Sequence, residues 1–261
     1  MLPLLLLFVL GAILALWIAG FAATTDLSVQ PADVRTFKNV LAVFAHADDE
    51  TVTCGGTIRR LASSGARVSL LLLTAGERGN ASRAEDPDLK AVRQREAERA
   101  CRLLGVSEVI EQDFGDGLLA ANRDAVAADL AEKIRALGPD LILTYDTAGL
   151  DGHPDHVACS EIAVEIVRTR FPNTTLWCVA PPRRLVRVLQ LVGQLPAAAN
   201  IDQRRMQPTA RVFLGAAVIP KIRAWYAYRT QRASIAKGLG RFAPVWFAVS
   251  TMQFEYFARA V

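Results

Sequence analysis

The segment Leu2–Ala23 contains no charged residue and is built almost entirely of Leu, Ala, Ile, Phe and Val. As a helix rising 1.5 Å per residue it would reach roughly 33 Å, enough to cross the hydrocarbon core of a bilayer. A soluble helix of that length carries a polar face, and this one has none. The segment therefore spans or targets a membrane. No Lys or Arg precedes it and it exceeds the usual signal-peptide core, although Phe21-Ala22-Ala23 ends in small residues. An uncleaved single-pass anchor over residues 1–24 is the preferred reading. Arg35 and Lys38 follow the helix, which places the remaining chain on the cytoplasmic side by the positive-inside rule.

Beyond a polar linker, residues 25–38, short apolar runs alternate with helical stretches. Asn39–Ala45, Arg67–Thr74, Val109–Ile110, Asp140–Tyr145 and Thr175–Val179 read as strands. Between them Thr53–Ser64, Leu89–Leu104, Arg123–Leu137 and Pro154 to about Arg170 read as helices, the second closed by Gly105. Continuous apolar strands of this kind are buried on both faces. The expected fold is α/β, a three-layer, Rossmann-like, mostly parallel sheet with its ligand site beyond the carboxyl ends of the strands. Residues 39–261 form one domain on this reading.

The charge is unevenly placed. From Pro181 to Val261 there are thirteen Lys and Arg against two acidic residues, whereas the chain before Pro181 is net acidic. Such a basic segment suits lipid headgroups or a phosphate-bearing substrate. Arg183–Leu195 and Ile222–Ser234 read as basic helices, expected to pack on the sheet, with an irregular loop over Pro196–Pro208. No nucleic-acid recognition module accompanies the charge, so nucleic acid is not expected as a partner. Cys54, Cys101, Cys159 and Cys178 are widely spaced, with neither disulfide density nor a CxxC pair, and read as small buried apolar residues.

All three histidines fall in two short polar clusters, His46-Ala47-Asp48-Asp49-Glu50 and Gly152-His153-Pro154-Asp155-His156. Each follows a predicted strand, where a parallel sheet puts its active site. His46, Asp49 and His156 offer two imidazoles and a carboxylate, a donor set typical of catalytic zinc, though another divalent ion could use it. Asp48 can then serve as general base, and His153 can stabilise an oxyanion or protonate a leaving amine.

Both clusters resemble the LmbE-like, or PIG-L, family of N-acetylglucosaminyl deacetylases, whose AHPDDE and GHPDH motifs read here Ala45-His46-Ala47-Asp48-Asp49-Glu50 and Gly152 through His156. The resemblance runs from about Val40 to Val167. It includes Gly55-Gly56-Thr57, Thr74-Ala75-Gly76-Glu77 and Arg93 with Glu96, and returns weakly near Lys221, Tyr228 and Glu255. It implies a zinc-dependent amidohydrolase acting on an acetylated amino sugar, with His46, Asp49 and His156 as ligands and Asp48 as base. It further implies that Asp155 orients a neighbouring histidine and that Asp116 meets a sugar hydroxyl. The loop after Glu77 brings Arg78 and Arg83, either of which could meet substrate, and Arg83 is preferred. The membrane anchor and the basic segment suggest that the sugar is lipid- or phosphate-linked. One residue departs from the pattern: Ala47 stands where the family has proline, implying a looser loop. An alternative of another class is a catalytically silent, membrane-anchored protein that binds a metal or a glycan.

Overall fold

The computed structural model describes residues 2–78, 89–231 and 244–260. Its centre is a seven-stranded sheet of order β3-β2-β1-β4-β5-β7-β6. The strands are β1 Asn39–Phe44, β2 Arg67–Leu72, β3 Glu108–Glu111, β4 Leu141–Tyr145, β5 Thr175–Val179, β6 Ala210–Phe213 and β7 Phe254–Arg259. The first five pair in parallel, and β7 and β6 add an antiparallel edge. The sheet is therefore mostly parallel, as expected, with an antiparallel edge that the sequence did not reveal. The two added strands need no crossover helix, so the βα alternation that revealed the others is missing there.

The helices are α1 Leu2–Thr24, α2 Asp49–Ser63, α3 Leu89–Leu104, α4 Arg123–Leu137, α5 Gly149–Gly152, α6 Pro154–Arg170, α7 Arg183–Leu191, α8 Ala199–Asp202, α9 Val218–Trp225 and α10 Val245–Thr251. α2, α3 and α9 pack together, as do α4 and α6. β1 and β4 are buried along nearly their whole length, and Leu41, Val43, Phe44, Ile142 and Leu143 have no solvent contact. Covering both faces explains why these strands are apolar at every position rather than at alternate ones. All four cysteines are buried and free.

Several boundaries differ from expectation. α2 begins at Asp49, four residues early, because the helix is broken at Cys54 (φ −138°, ψ 21°) and its first turn stands apart from the rest. α9 ends at Trp225 instead of continuing, since the chain turns so that Thr230 donates its backbone N–H and hydroxyl to the Glu96 carboxylate on α3. The expected end of that helix, residues 232–234, lies outside the described residues. α7 stops at Leu191, and its Leu185 and Val186 are buried while Arg183 and Arg184 face outward. The expected loop over Pro196–Pro208 contains the single turn of α8.

α1 is exposed from Leu4 to Leu16 and is long and apolar enough to cross a membrane. Among the described residues, its last turns are the part that touches the domain. Trp17 donates its indole N–H to Ser250 Oγ (3.1 Å), and the Thr24 hydroxyl reaches the Thr251 carbonyl (3.3 Å). Gly20 passes so close to α10 that a Cβ there would sit 2.9 Å from Thr251 Cγ2. The following segment is held against β6: Ala32 N–H donates to the Arg211 carbonyl and Arg211 N–H to that of Gln30.

Candidate metal centre and catalytic site

β1 ends at Phe44 and α2 begins at Asp49, so His46, Ala47 and Asp48 form the turn between them. Asp48 lies at φ 114°, a conformation that costs most residues strain but is tolerated better by Asp and Asn. Its backbone N–H donates to Glu50 Oε2 (3.1 Å), and the Tyr228 hydroxyl donates to Glu50 Oε1 (2.7 Å). Glu50, wholly buried, thus pins the turn that presents Asp48. Ala47 packs against the core in the place of the proline.

The second cluster follows β4. His153 caps α6, its Nδ1 accepting the Asp155 backbone N–H (3.2 Å), and Pro154 takes the first helical position, where its missing N–H costs nothing. His156 then lies in the first turn, aimed at the sheet edge.

The two clusters meet. His46 Nδ1 and His156 Nε2 are 3.2 Å apart, and Asp49 Oδ2 is 3.4 Å from each. Three ligands placed about 2.0–2.1 Å from a tetrahedral ion would be separated by about 3.3–3.4 Å. The triangle therefore has the size of one face of such a coordination shell. The outer nitrogens complete the fit. His46 Nε2 faces Asp116 Oδ1 (3.1 Å) and Asp155 Oδ2 (3.3 Å), while His156 Nδ1 faces Asp151 Oδ1 (2.9 Å) and the Gly149 carbonyl (3.2 Å). In its neutral form each ring would keep its proton on the outer nitrogen and offer a lone pair inward, the arrangement metal-binding histidines adopt. Among the described residues, His46 with His153 and His156, and His46 with Asp116 and Asp155, also gather ligand atoms closely enough to hold a metal ion, so the His46–Asp49–His156 triangle sits within a wider cluster of donors.

Burial disfavours the charged form of His46, but Asp116, Asp155 and Asp49 outweigh it and lift the metal-free ring to about 12. Burial likewise opposes charge on His156, which Asp49 and Asp151 raise to about 10. Asp48 is pushed well above the usual carboxylate range by burial and by its neighbours Asp49 and Glu50. His153 moves the other way: burial, then His156 and His46, lower it, so its ring is neutral near pH 7. Because its Nδ1 accepts the capping bond, the neutral ring carries its proton on Nε2. The rings of His153 and His46 meet edge-on with centroids 5.0 Å apart.

The structure thus brings His46, Asp48, Asp49, His153, Asp155 and His156 to one end of the sheet. Asp155 accepts the backbone N–H groups of Gly117 (2.6 Å) and Leu119 (3.1 Å), which fix it beside His46. Asp116 is buried, facing His46 and accepting the Arg78 N–H (2.9 Å). Arg83 lies outside the described residues. Sequence reasoning missed Tyr145 and Asp151. The Tyr145 hydroxyl donates a very short hydrogen bond to Asp49 Oδ2 and accepts the Ala45 N–H (3.0 Å). Its ring stacks on His156 at 4.4 Å.

Residues 41–167 match the family model described as PIG-L, GlcNAc-PI de-N-acetylase. Over 249 residues the chain is 33% identical to the 1D-myo-inositol 2-acetamido-2-deoxy-alpha-D-glucopyranoside deacetylase of Thermomonospora curvata, covering 78% of this chain and 84% of that one. The chain belongs to the PIG-L family of deacetylases. The fold of this PIG-L protein is shared with the N,N'-diacetylchitobiose deacetylase from Pyrococcus horikoshii (TM-score 0.61, 24% identity, 85% and 84% of the two chains). It is shared to the same degree with the 4-carboxy-2-hydroxymuconate hydratase of Pseudomonas putida KT2440 (TM-score 0.61, 19% identity, 86% and 96%). The fold alone therefore does not assign the reaction; family membership and the site do.

Proposed function

We propose that this protein is a zinc-dependent hydrolase that removes the acetyl group from the amino nitrogen of an N-acetylglucosamine-type sugar, presented at a membrane on a lipid- or phosphate-linked carrier. The observation that carries the reading is the near-equilateral triangle of His46 Nδ1, Asp49 Oδ2 and His156 Nε2, with Asp48 and His153 beside it.

His46, Asp49 and His156 would hold the metal. A divalent ion there supplies Lewis acidity, polarising the amide carbonyl and making water acidic enough to attack near neutral pH. Asp48 takes the proton of the attacking water, a task helped by its raised basicity. His153, neutral with its proton on Nε2, donates a hydrogen bond to the developing oxyanion, and Asp48 returns the proton taken from water to the departing amine. Asp155 and Asp151 hold His46 and His156 in the required tautomers, and Tyr145 fixes the liganding oxygen of Asp49. Asp116 and Arg83 remain candidates for substrate contact.

α1 is proposed to anchor the domain, with Arg183, Arg184 and Arg187 on α7 meeting anionic headgroups. The test is acetate release after chelation and after reloading with zinc, on soluble and lipid-linked N-acetylglucosaminides. Zinc-restored release that favours the linked substrate supports the proposal. Release unaffected by chelation, or equal on both substrates, contradicts it.

A further inference from the structure

Between the metal loops and the helices that seat α1 lies a cavity of about 160 Å³ that the reaction does not use. One wall is Val52 and Thr53, in the first turns of α2, with the Thr53 hydroxyl bonded to the Asp49 carbonyl (2.6 Å). Beside it stands Leu150, held at φ 62° between Gly149 and Asp151, the two residues that accept from His156 Nδ1. The far wall is Leu185 and Leu189 of α7, Trp225 of α9 and Val249 of α10, closed by Met252 and Phe254.

The charged pair in the lining is self-contained. Lys221 Nζ donates to Glu255 Oε1 (2.7 Å) and to the Val52 carbonyl (3.1 Å), while Glu255 also accepts the N–H groups of Gly56 and Thr57. The remaining surface is mostly apolar, and its volume suits a short hydrocarbon; an enclosed apolar cavity of about 150 Å³ holds a benzene ring. The capacity is thus on the order of six carbons.

The position of the cavity relative to α1 indicates where such a chain comes from. α1 rests on α10 and α7, which also wall the cavity. Beside that seat Leu191, Ile219 and Trp246, on α7, α9 and α10, expose further apolar surface of the kind that suits the acyl-chain region of a bilayer.

We infer that this cavity is a subsite for the hydrocarbon chain of the substrate, entered from the membrane side and ending beside the metal loops. The inference rests on the deacetylase reading above. It goes further by naming the residues that grip the chain and by making chain length a determinant of catalysis.

The experiment uses the full chain, zinc-loaded, in nanodiscs of unbrominated lipid. Methyl and octyl 2-acetamido-2-deoxyglucosides are compared as substrates, and brominated octyl glucoside serves as an amide-free probe whose bromine quenches Trp225. Each buried methylene is worth roughly a factor of 4. The octyl glycoside is expected to show kcat/KM at least ~30-fold above the methyl one. The probe is expected to quench saturably, and Trp225→Phe to remove that component. Val249→Phe and Leu189→Phe, which fill the cavity from two helices of its far wall, are expected to cut the chain-length preference below about threefold and to weaken the probe at least ~10-fold. Equal kcat/KM for the two glycosides, or no saturable quenching of Trp225, overturns the inference. Quenching by brominated bilayer phospholipid that octyl glycoside does not displace assigns the cavity to a resident lipid and overturns it as well. Probe binding with no acetate released from any glycoside retires the deacetylase reading, which separates that failure from failure of the cavity.

Discussion

Tyr145 carries a hydroxyl at the end of a strand, Leu-Ile-Leu-Thr-Tyr, whose packing phenylalanine would satisfy equally well. That hydroxyl is what the sequence pattern could not reveal. A buried phenol needs a partner, but which one depends on a turn a hundred residues away in sequence. Its hydrogen bond to Asp49 predicts that Tyr145→Phe keeps the fold and lowers zinc affinity by about 10- to 100-fold, measurable by competition with a chromogenic chelator. The histidines, by contrast, were legible, because all three sit in two clusters at strand ends. Their protonation yields a pH prediction. His46 and His156 bind protons more tightly when folded than when unfolded, at about 12 and about 10 against 6.5. In chelated protein their contribution to stability is therefore full below about pH 6.5 and is lost as pH rises through the folded values. The melting temperature of the chelated protein should fall between pH 6.5 and 9.5, whereas zinc binding, which needs neutral rings, should tighten over the same range.

Among the elements, the parallel strands and the helices crossing between them were readable because the central strands are nearly continuous apolar runs and α2 and α3 are amphipathic. β6, β7 and α10 were not. They form an antiparallel edge and a seven-residue helix whose pairing is set by contacts across the molecule rather than by local period. Their importance lies in Glu255 on β7, which accepts from Gly56 and Thr57 and so clamps α2 just beyond its break at Cys54. Gly56 itself is packed so closely that a Cβ would lie 2.6 Å from Leu214. Glu255 and Lys221 form a buried ion pair, and removing one partner strands the other's charge. Glu255→Ala should cost about 3–5 kcal/mol of stability, and the double variant Lys221→Met, Glu255→Gln should cost less than Glu255→Ala alone. Denaturant unfolding at constant pH and zinc would check both.

At the scale of the whole molecule, an apolar helix, a basic helix and an apolar cavity share one side of the domain, and the cavity is lined by Val52, Thr53 and Leu150 of the segments that carry the metal triangle. The charge asymmetry of the sequence pointed to this side, but the cavity was invisible, since its lining is gathered from α2, α5, α7, α9, α10 and β7. If α1 spans the bilayer, the full chain should stay with membranes through alkaline carbonate washing and leave only with detergent. The central claim is that these clusters form a working deacetylase and not a silent binding site. It is tested most directly by acetate release from N-acetylglucosaminyl substrates, comparing zinc-loaded wild type with Asp48→Ala at equal bound zinc. Release by wild type and a loss of about 10²- to 10⁴-fold in the variant are expected. Equal rates in the two, or no release by wild type with zinc bound, would contradict the claim.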